Sequence, residues 1–223
     1  MHCGYVLSWF ELLPILSFAL LSGRCRSCYS RLSLQYPLVE FGNGLLYVLA
    51  FWYAGLTLEM VVLLPILSLL LLIFVYDLRH TIIPDEFSYL FATLALFFAL
   101  LTETAGMWEA LIAGPLVTFP LWLLHALSRG KWMGLGDAKL ALGIGWLLGL
   151  SGGFAALLLS FWFGAGISLL LTLYVVLVRS LKRSSGAHTM KHEVPFAPYL
   201  VLGTLVALFC NITLIDLLQW LTF

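Results

Sequence analysis

The sequence predicts an all-α protein, a polytopic bundle of about seven transmembrane helices behind a small N-terminal segment. Three observations predict it. Of 223 residues, 62% are hydrophobic and 10% charged, with mean hydropathy +1.05; a soluble domain holds about 45–50% apolar and about 25% charged residues. Apolar runs follow one another from Phe41 to Cys210. The eleven Lys and Arg residues cluster between particular runs, although net charge is zero. This composition excludes a disordered chain, a basic nucleic-acid binder and an ordinary soluble enzyme.

Residues 1–40 stand apart. They hold Arg24, Arg26 and Arg31, three of the four cysteines, and one apolar stretch, Leu12–Leu21, too short to cross a bilayer. A signal peptide is the competing reading, but no Lys or Arg precedes the stretch and the cleavage pattern is weak. The expectation is a small cytoplasmic Cys-containing segment, 1–40, leading into a membrane domain, 41–223. Cys210, inside an apolar run, reads as a small buried hydrophobe.

Spans are expected near 42–59, 60–78, 86–102, 108–129, 136–150, 152–179 and 195–214. Each should be helical, because a helix satisfies its own backbone in lipid. Alternating crossings put every Lys and Arg on one side, including Arg79, Arg129, Lys131, Lys139, Arg179, Lys182, Arg183 and Lys191. Glu59, Glu103, Glu109 and Asp216 fall opposite. The positive-inside rule makes the cationic side cytoplasmic. Gly145, Gly149 and Gly153 recur every fourth residue, the spacing of close helix packing. No Walker sequence, dinucleotide glycine loop or internal repeat is present, and the lack of a repeat counts mildly against a transporter.

Two carboxylates carry the chemistry. Asp77 ends the run Val61–Tyr76, and Asp137 precedes the run Leu140–Leu150. Ionisable groups at a span edge suggest a functional site; an ion pair with Arg79 or Lys139 is the structural alternative for each. Two crossings apart, both acids emerge on one side at one depth. Two carboxyls sharing a site cannot both ionise easily, so one keeps its proton. The charged member can take a proton from water while the neutral one polarises a peptide carbonyl, which is general acid–base hydrolysis. Gly134 and Gly136 permit unusual backbone angles and close approach of a neighbouring chain. Pro84 suits a first helical turn, and Asp85 and Glu86 complement its dipole. His125 lies within a span and reads as a buried hydrogen-bonding residue; His80, His188 and His192 read as solvated.

These residues resemble the type IV prepilin peptidases, membrane aspartic proteases with a Gly-x-Gly-Asp loop. Asp77 followed by Ile82-Ile83-Pro84-Asp85 is similar to the family's first catalytic segment, and Gly134-Leu135-Gly136-Asp137-Ala138-Lys139 to its second. Pro195-Phe196-Ala197-Pro198-Tyr199 resembles a stretch before the last helix, and Gly23–Cys28 with Arg31 through Glu40 a cytoplasmic region. The resemblance implies removal of basic leaders from type IV prepilins or type II secretion pseudopilins, typically after glycine, at the bacterial inner membrane with the active site facing the cytoplasm. It implies Asp77 and Asp137 as the catalytic pair, with Gly134, Gly136, Lys139, Pro84 and Asp85 supporting the site or the substrate. Proteolysis then requires no cofactor, and the partners are the prepilin and the bilayer, with no nucleic acid.

Many such enzymes also methylate the new N-terminal residue, often phenylalanine, with S-adenosylmethionine. Against the family pattern the N-terminus is short, so methyl transfer is expected to be weak or absent. Cys3, Cys25 and Cys28 would supply three of the four thiolates of a zinc site, and His2 is poorly placed as the fourth ligand. The alternatives are another Gly-x-Gly-Asp protease, such as a preflagellin peptidase, a proton- or cation-coupled transporter, or an assembly protein with a decayed site.

Overall fold

The computed structural model describes residues 3–4, 6–102, 106–182 and 195–222, without the side chains at 176–182 and 221. His2, Glu103, Arg183, His188, Lys191 and His192 lie outside the described residues. The chain divides into two compact units, Met1–Leu56 and Thr57–Phe223.

In the first unit a 3-10 turn, Trp9–Leu12, is held by a capping box in which the Ser8 N–H donates to Glu11 Oε2 at 2.8 Å. Glu11 is buried, and Arg26 Nη1 lies 3.9 Å from its other oxygen. Beyond Leu12, only Leu16–Leu20 of the apolar stretch is helical (α1). An antiparallel bridge between Arg24 and Arg31 and the Cys25 N–H to Ser30 carbonyl bond then close a loop carrying Cys25 and Cys28. Helix α2, Gln35–Ala54, runs through residues 40 and 41, where the sequence suggested a division.

The second unit contains α3 (Leu58–His80), α4 (Asp85–Thr102), α5 (Met107–Ser128), α6 (Leu135–Lys182), α7 (Ala197–Phe209) and α8 (Leu214–Leu221). Helix α3 starts where the Thr57 hydroxyl accepts from the Met60 N–H. It ends at Thr81, whose N–H returns to the Asp77 carbonyl with φ 53°. The Pro84 carbonyl opens α4 by accepting from the Ser88 N–H.

Helix α6 contains a reversal. Gly149 has φ 72° and ψ −176°, a region essentially restricted to glycine. In a straight helix, residues eight apart are separated by about 12 Å, yet a Cβ built on Gly153 would lie 3.2 Å from the Gly145 Cα. The chain therefore folds back at Gly149 into two antiparallel arms. Gly145 and Gly153 are packing glycines, as the spacing suggests: a Cβ at 145 would lie 2.6 Å from the Ala113 carbonyl oxygen, and one at 153 would lie 2.7 Å from Val117 Cγ2. Gly149 is the turn itself, with open space around it.

Helix α6 packs most extensively on α5, α7 and α4. In lipid, contact of this kind depends on small residues that let backbones approach. A Cβ on Gly203 of α7 would clash with Ser160 Oγ and meet the Ala156 carbonyl at 2.5 Å. Ser160 and Thr204, both fully buried, bond to carbonyls of their own helices, Ala156 at 2.6 Å and Leu200 at 2.7 Å, so their burial leaves no hydroxyl unsatisfied. Leu67, Ile73, Phe91, Leu121, Leu140 and Ile144 form part of the fully buried core.

The outer surface is apolar, with Leu90, Phe97, Trp122, Leu169 and Leu173 exposed. Among the described residues, α3, α4, α5 and α6 are long and apolar enough to cross a membrane. Helices α7 and α8, bent by 95°, together make a fifth candidate. The chain is an all-α membrane protein; among the described residues four to five candidate spans are long and apolar enough, so the count of about seven is not confirmed. The region expected to span at 42–59 is interrupted: α2 carries Asn43 and ends at Gly55, α3 begins at Leu58, and α2 is not among these candidates. The expected spans at 136–150 and 152–179 are the two arms of α6. Cys210 is exposed at the end of α7, because the helix stops there and turns toward α8.

Candidate active site

Three inter-helix connections converge at one end of the second unit. They are the α3–α4 turn, the α5–α6 loop and the segment entering α7. Together they line a cleft of about 650 Å³ that includes Asp77, Ile83, Met133, Asp137, Lys139 and Phe196. Gly134, Gly136 and Asp85 also border it. Pro84 does not; it sits between two lining residues, where its carbonyl starts α4.

Asp77 belongs to the last turn of α3 and is 4% exposed. Its carboxylate accepts from the backbone N–H of Ala197, the first residue of α7. The free N–H groups of a helix start form a positive site that suits a carboxylate. Among the described residues, Asp77 Oδ2 is buried without a hydrogen-bond partner. A buried, unpaired carboxylate oxygen is costly in a purely structural role and is what a substrate or water would engage.

Asp137 lies in the first turn of α6 and is 9% exposed. It accepts from the Gly134 N–H, the acid-to-cap half of a capping box. The two carboxyls are close enough that the charge on Asp77 acts on Asp137. Neither is neutralised by a salt bridge among the described residues. The cation that an ion pair with Asp137 would use, Lys139, goes instead to Asp85 Oδ1 at 2.6 Å and lies 5.3 Å from the Tyr89 ring centroid. Asp85 is thus both at the start of α4 and tied across the cleft rim to α6.

The glycines act by space rather than by unusual angles, which corrects half of the sequence expectation. Neither Gly134 nor Gly136 has positive φ. A Cβ on Gly136 would lie 3.2 Å from Ile83 Cβ, so the bare position lets the two connections touch. The left-handed glycine of this loop is Gly130, φ 77°. His125 holds the loop from below, its Nδ1 2.9 Å from the Met133 carbonyl; it is half-buried and hydrogen-bonded. His80 is exposed and stacks on Tyr76 at 4.5 Å.

Sequence reasoning missed the Ala197 N–H and the Met133 carbonyl, because backbone groups leave no residue signature. The two prolines flanking Phe196–Ala197 were the available signal, since they fix the helix start that aims the N–H.

In the first unit, the Cys3, Cys25 and Cys28 sulfurs all lie within 4.8 Å of one another, with Cys3 and Cys25 at 3.8 Å. Zn–S bonds of ~2.3 Å in a tetrahedron put sulfurs about 3.8 Å apart, so the trio fits one face of such a site. The Ser30 hydroxyl at 3.1 Å, followed by the Ser30 N–H and the neighbouring thiols, pulls the Cys28 thiol down to about 6. It is therefore thiolate at neutral pH, the metal-binding form.

Comparison with known proteins matches residues 1–54 to the bacterial peptidase A24 N-terminal domain and residues 64–169 to the type IV leader peptidase family. The chain is 31% identical over 214 residues to the prepilin leader peptidase/N-methyltransferase of Pseudomonas putida, covering 92% of this chain and 69% of that protein. The namesake from Aeromonas hydrophila is 34% identical, covering 93% and 69%. That of Bacillus subtilis (strain 168) is 31% identical, covering 92% and 78%. No solved structure matches the chain. With both domains matched in order and relatives aligned along nearly the whole sequence, the chain belongs to the type IV leader peptidase family.

Proposed function

We propose that the chain is a membrane aspartic endopeptidase that cuts the leader from type IV prepilins or pseudopilins, with Asp77 and Asp137 as the catalytic pair. The observation that carries the reading is the pair itself: two buried, mutually interacting carboxyls lining one cleft, one of them with an oxygen that has no partner among the described residues. Before reaction one carboxyl is ionised and the other holds a proton. The ionised carboxylate takes a proton from a water whose oxygen bonds to the scissile carbonyl carbon. The protonated partner gives its proton to the carbonyl oxygen, producing a neutral tetrahedral diol. Collapse re-forms the carbonyl, returns that proton and breaks the C–N bond as the first carboxyl protonates the departing nitrogen. No covalent intermediate and no cofactor enter.

The Ala197 N–H fixes Asp77 and the Gly134 N–H fixes Asp137, so each acid is oriented by a helix start. Arg79 in the last turn of α3, and Arg129 and Lys131 in the α5–α6 loop, lie at the cleft end, which supports a cytoplasmic cleft in the bacterial inner membrane. A basic leader would then stay inside while its apolar stem enters the bilayer.

Cys3, Cys25 and Cys28 would hold a structural zinc in the first unit, which would supply folding energy there. It takes no part in the cleavage steps. The test is cleavage of a basic-leader peptide with an apolar stem by the membrane-reconstituted protein. Wild type should cut it, and Asp77→Asn and Asp137→Asn should not.

A further inference from the structure

Each carboxyl of the pair accepts from the N–H of one peptide unit, and the carbonyl of that same unit is held in turn. For Asp77 the unit joins Phe196 to Ala197. The Ala197 N–H donates to the carboxylate, and the Phe196 carbonyl accepts from the Tyr199 and Leu200 N–H groups at 3.0 and 3.2 Å. The backbone of α7 therefore fixes that unit. For Asp137 the unit joins Met133 to Gly134. The Gly134 N–H donates to the carboxylate, and a Cβ on Gly134 would lie 3.4 Å from Asp137 Oδ2. Here the carbonyl is held by a side chain, His125, whose Nδ1 lies 2.9 Å from the Met133 oxygen. A carbonyl oxygen only accepts, so the ring donates from Nδ1.

The loop leaves that hold to the ring. The Gly130 N–H bonds to the His125 carbonyl at 2.9 Å, the Lys131 N–H to the Ser128 carbonyl at 3.2 Å and the Trp132 N–H to the Ser128 hydroxyl at 3.3 Å. These bonds tie the loop to the last turn of α5 as far as Trp132. The chain then crosses to α6, and the His125 ring is the next tie. Gly130, with φ 77°, lays the loop over this ring; a Cβ there would lie 3.3 Å from His125 Cε1. A full capping box has a second bond, from the N3 N–H to a Ser or Thr at the cap. Gly134 has no side chain to accept it. The C=O and N–H of a trans peptide point in opposite directions. If the carbonyl is released, the unit can rotate and swing the N–H away from Asp137.

We infer that His125 is a positioning residue for Asp137, acting through the peptide that joins Met133 to Gly134. This rests on the peptidase reading above, in which Asp137 is catalytic. The ring holds the carbonyl, the carbonyl sets the peptide plane, and the plane aims the N–H at the carboxylate. Hydrogen bonds in such a chain polarise one another, so the ring also strengthens the donor that reaches Asp137. One acid of the pair is thus oriented by helix backbone and the other by a replaceable side chain.

Two measurements test it. In the first, the reconstituted protein cuts the basic-leader peptide as wild type, as His125→Phe, which keeps a ring without a donor, and as His125→Asn, whose amide nitrogen can take the place of Nδ1. His125→Phe should lower kcat by about 100-fold, the loss a displacement of ~1 Å can cause, with KM little changed. His125→Asn should restore most of kcat. A general loosening of the loop would raise KM as well, because Trp132 and Met133 line the cleft. Wild-type kcat in a folded His125→Phe protein overturns the inference, as do equal losses in the two variants or a loss confined to KM.

The second measurement does not need those variants to fold. Nitrogen-15 spectra of histidine-labelled protein are compared with and without Asp137→Asn, in a His80→Gln background that removes the ring nearest Asp77 in sequence. One ring should be protonated at Nδ1, and its signal should move with the Asp137 substitution. No responding ring, or a responding ring bare at Nδ1, overturns the inference. If wild type does not cut the peptide the peptidase reading fails, while the spectra still decide whether ring and carboxyl are coupled.

Discussion

Asp77 and Asp137 are sixty residues apart in sequence, and each is fixed by the end of a helix in a tightly packed bundle. Cys25 and Cys28 sit in a loop closed by an isolated bridge and a few backbone bonds, and all three thiols of that cluster are at least partly exposed. Both arrangements gather groups of one chemical kind, but by different means. The carboxyl pair depends on how α3, α6 and α7 dock, so it is stiff and sensitive to packing far away. The thiol cluster depends on local backbone bonds and on Ser30, so it responds to its immediate neighbours. A site built from helix ends inherits the precision of the bundle, while a loop site is tuned residue by residue.

Loss of either acid should do the most damage. Asp77→Asn or Asp137→Asn should lower peptide cleavage by at least ~10²–10⁴-fold, the contribution of a positioned acid or base, while far-UV dichroism and membrane insertion stay unchanged. Residual cleavage near wild-type level would remove that residue from the pair. Next comes packing. Gly203→Leu forces α7 away from Ser160 and Ala156 and should cost about 1–3 kcal/mol or more, read as a lower Tm in detergent with cleavage falling in parallel. Because α7 carries the N–H that holds Asp77, a lower Tm without loss of cleavage at permissive temperature would break the link between docking and site.

The thiol cluster should respond differently. In the protein stripped of metal, Cys28, brought down to about 6, should react with iodoacetamide readily at pH 7 and slow as pH falls below 6, since only the thiolate attacks. Ser30→Ala removes the first cause of that lowering, so the reactivity midpoint should move up toward the usual thiol range. Peptide mapping by mass spectrometry would follow it, and a midpoint that stays near 6 would show that Ser30 is not the cause. The smallest effect concerns the rim. Lys139→Met breaks the bond to Asp85, whose carboxylate is largely exposed, and should change stability by at most ~1 kcal/mol. Thermal unfolding would measure it.

The fold class and both acids were legible because each is a property of side chains. Apolar runs mark helices in lipid, and a carboxylate at the end of such a run is conspicuous. The reversal at Gly149 was not legible, since a glycine every fourth residue also describes helix contact, and two of the three do serve that purpose. The span count is not confirmed at α2, which carries Asn43 and ends at Gly55 inside the stretch 42–59. Cys210 was placed inside by its neighbours' hydropathy, which carries no information about where α7 ends. Lys139 was weighed as a partner for Asp137, but its long side chain reaches Asp85 on another helix. Contacts of that kind are set by tertiary docking.

The reversal at Gly149 has a consequence for the surrounding lipid. The arm before it, residues 135–148, is only about 21 Å long at 1.5 Å per residue, against a hydrocarbon layer of ~30 Å. A segment so brief creates a hydrophobic mismatch, which bilayers relieve by thinning around the short element. The leaflet beside Asp137 would then be dimpled, drawing headgroups and their hydration inward. Solvent for hydrolysis can thus arrive by deformation of the membrane itself, without a permanent aqueous channel through the bundle.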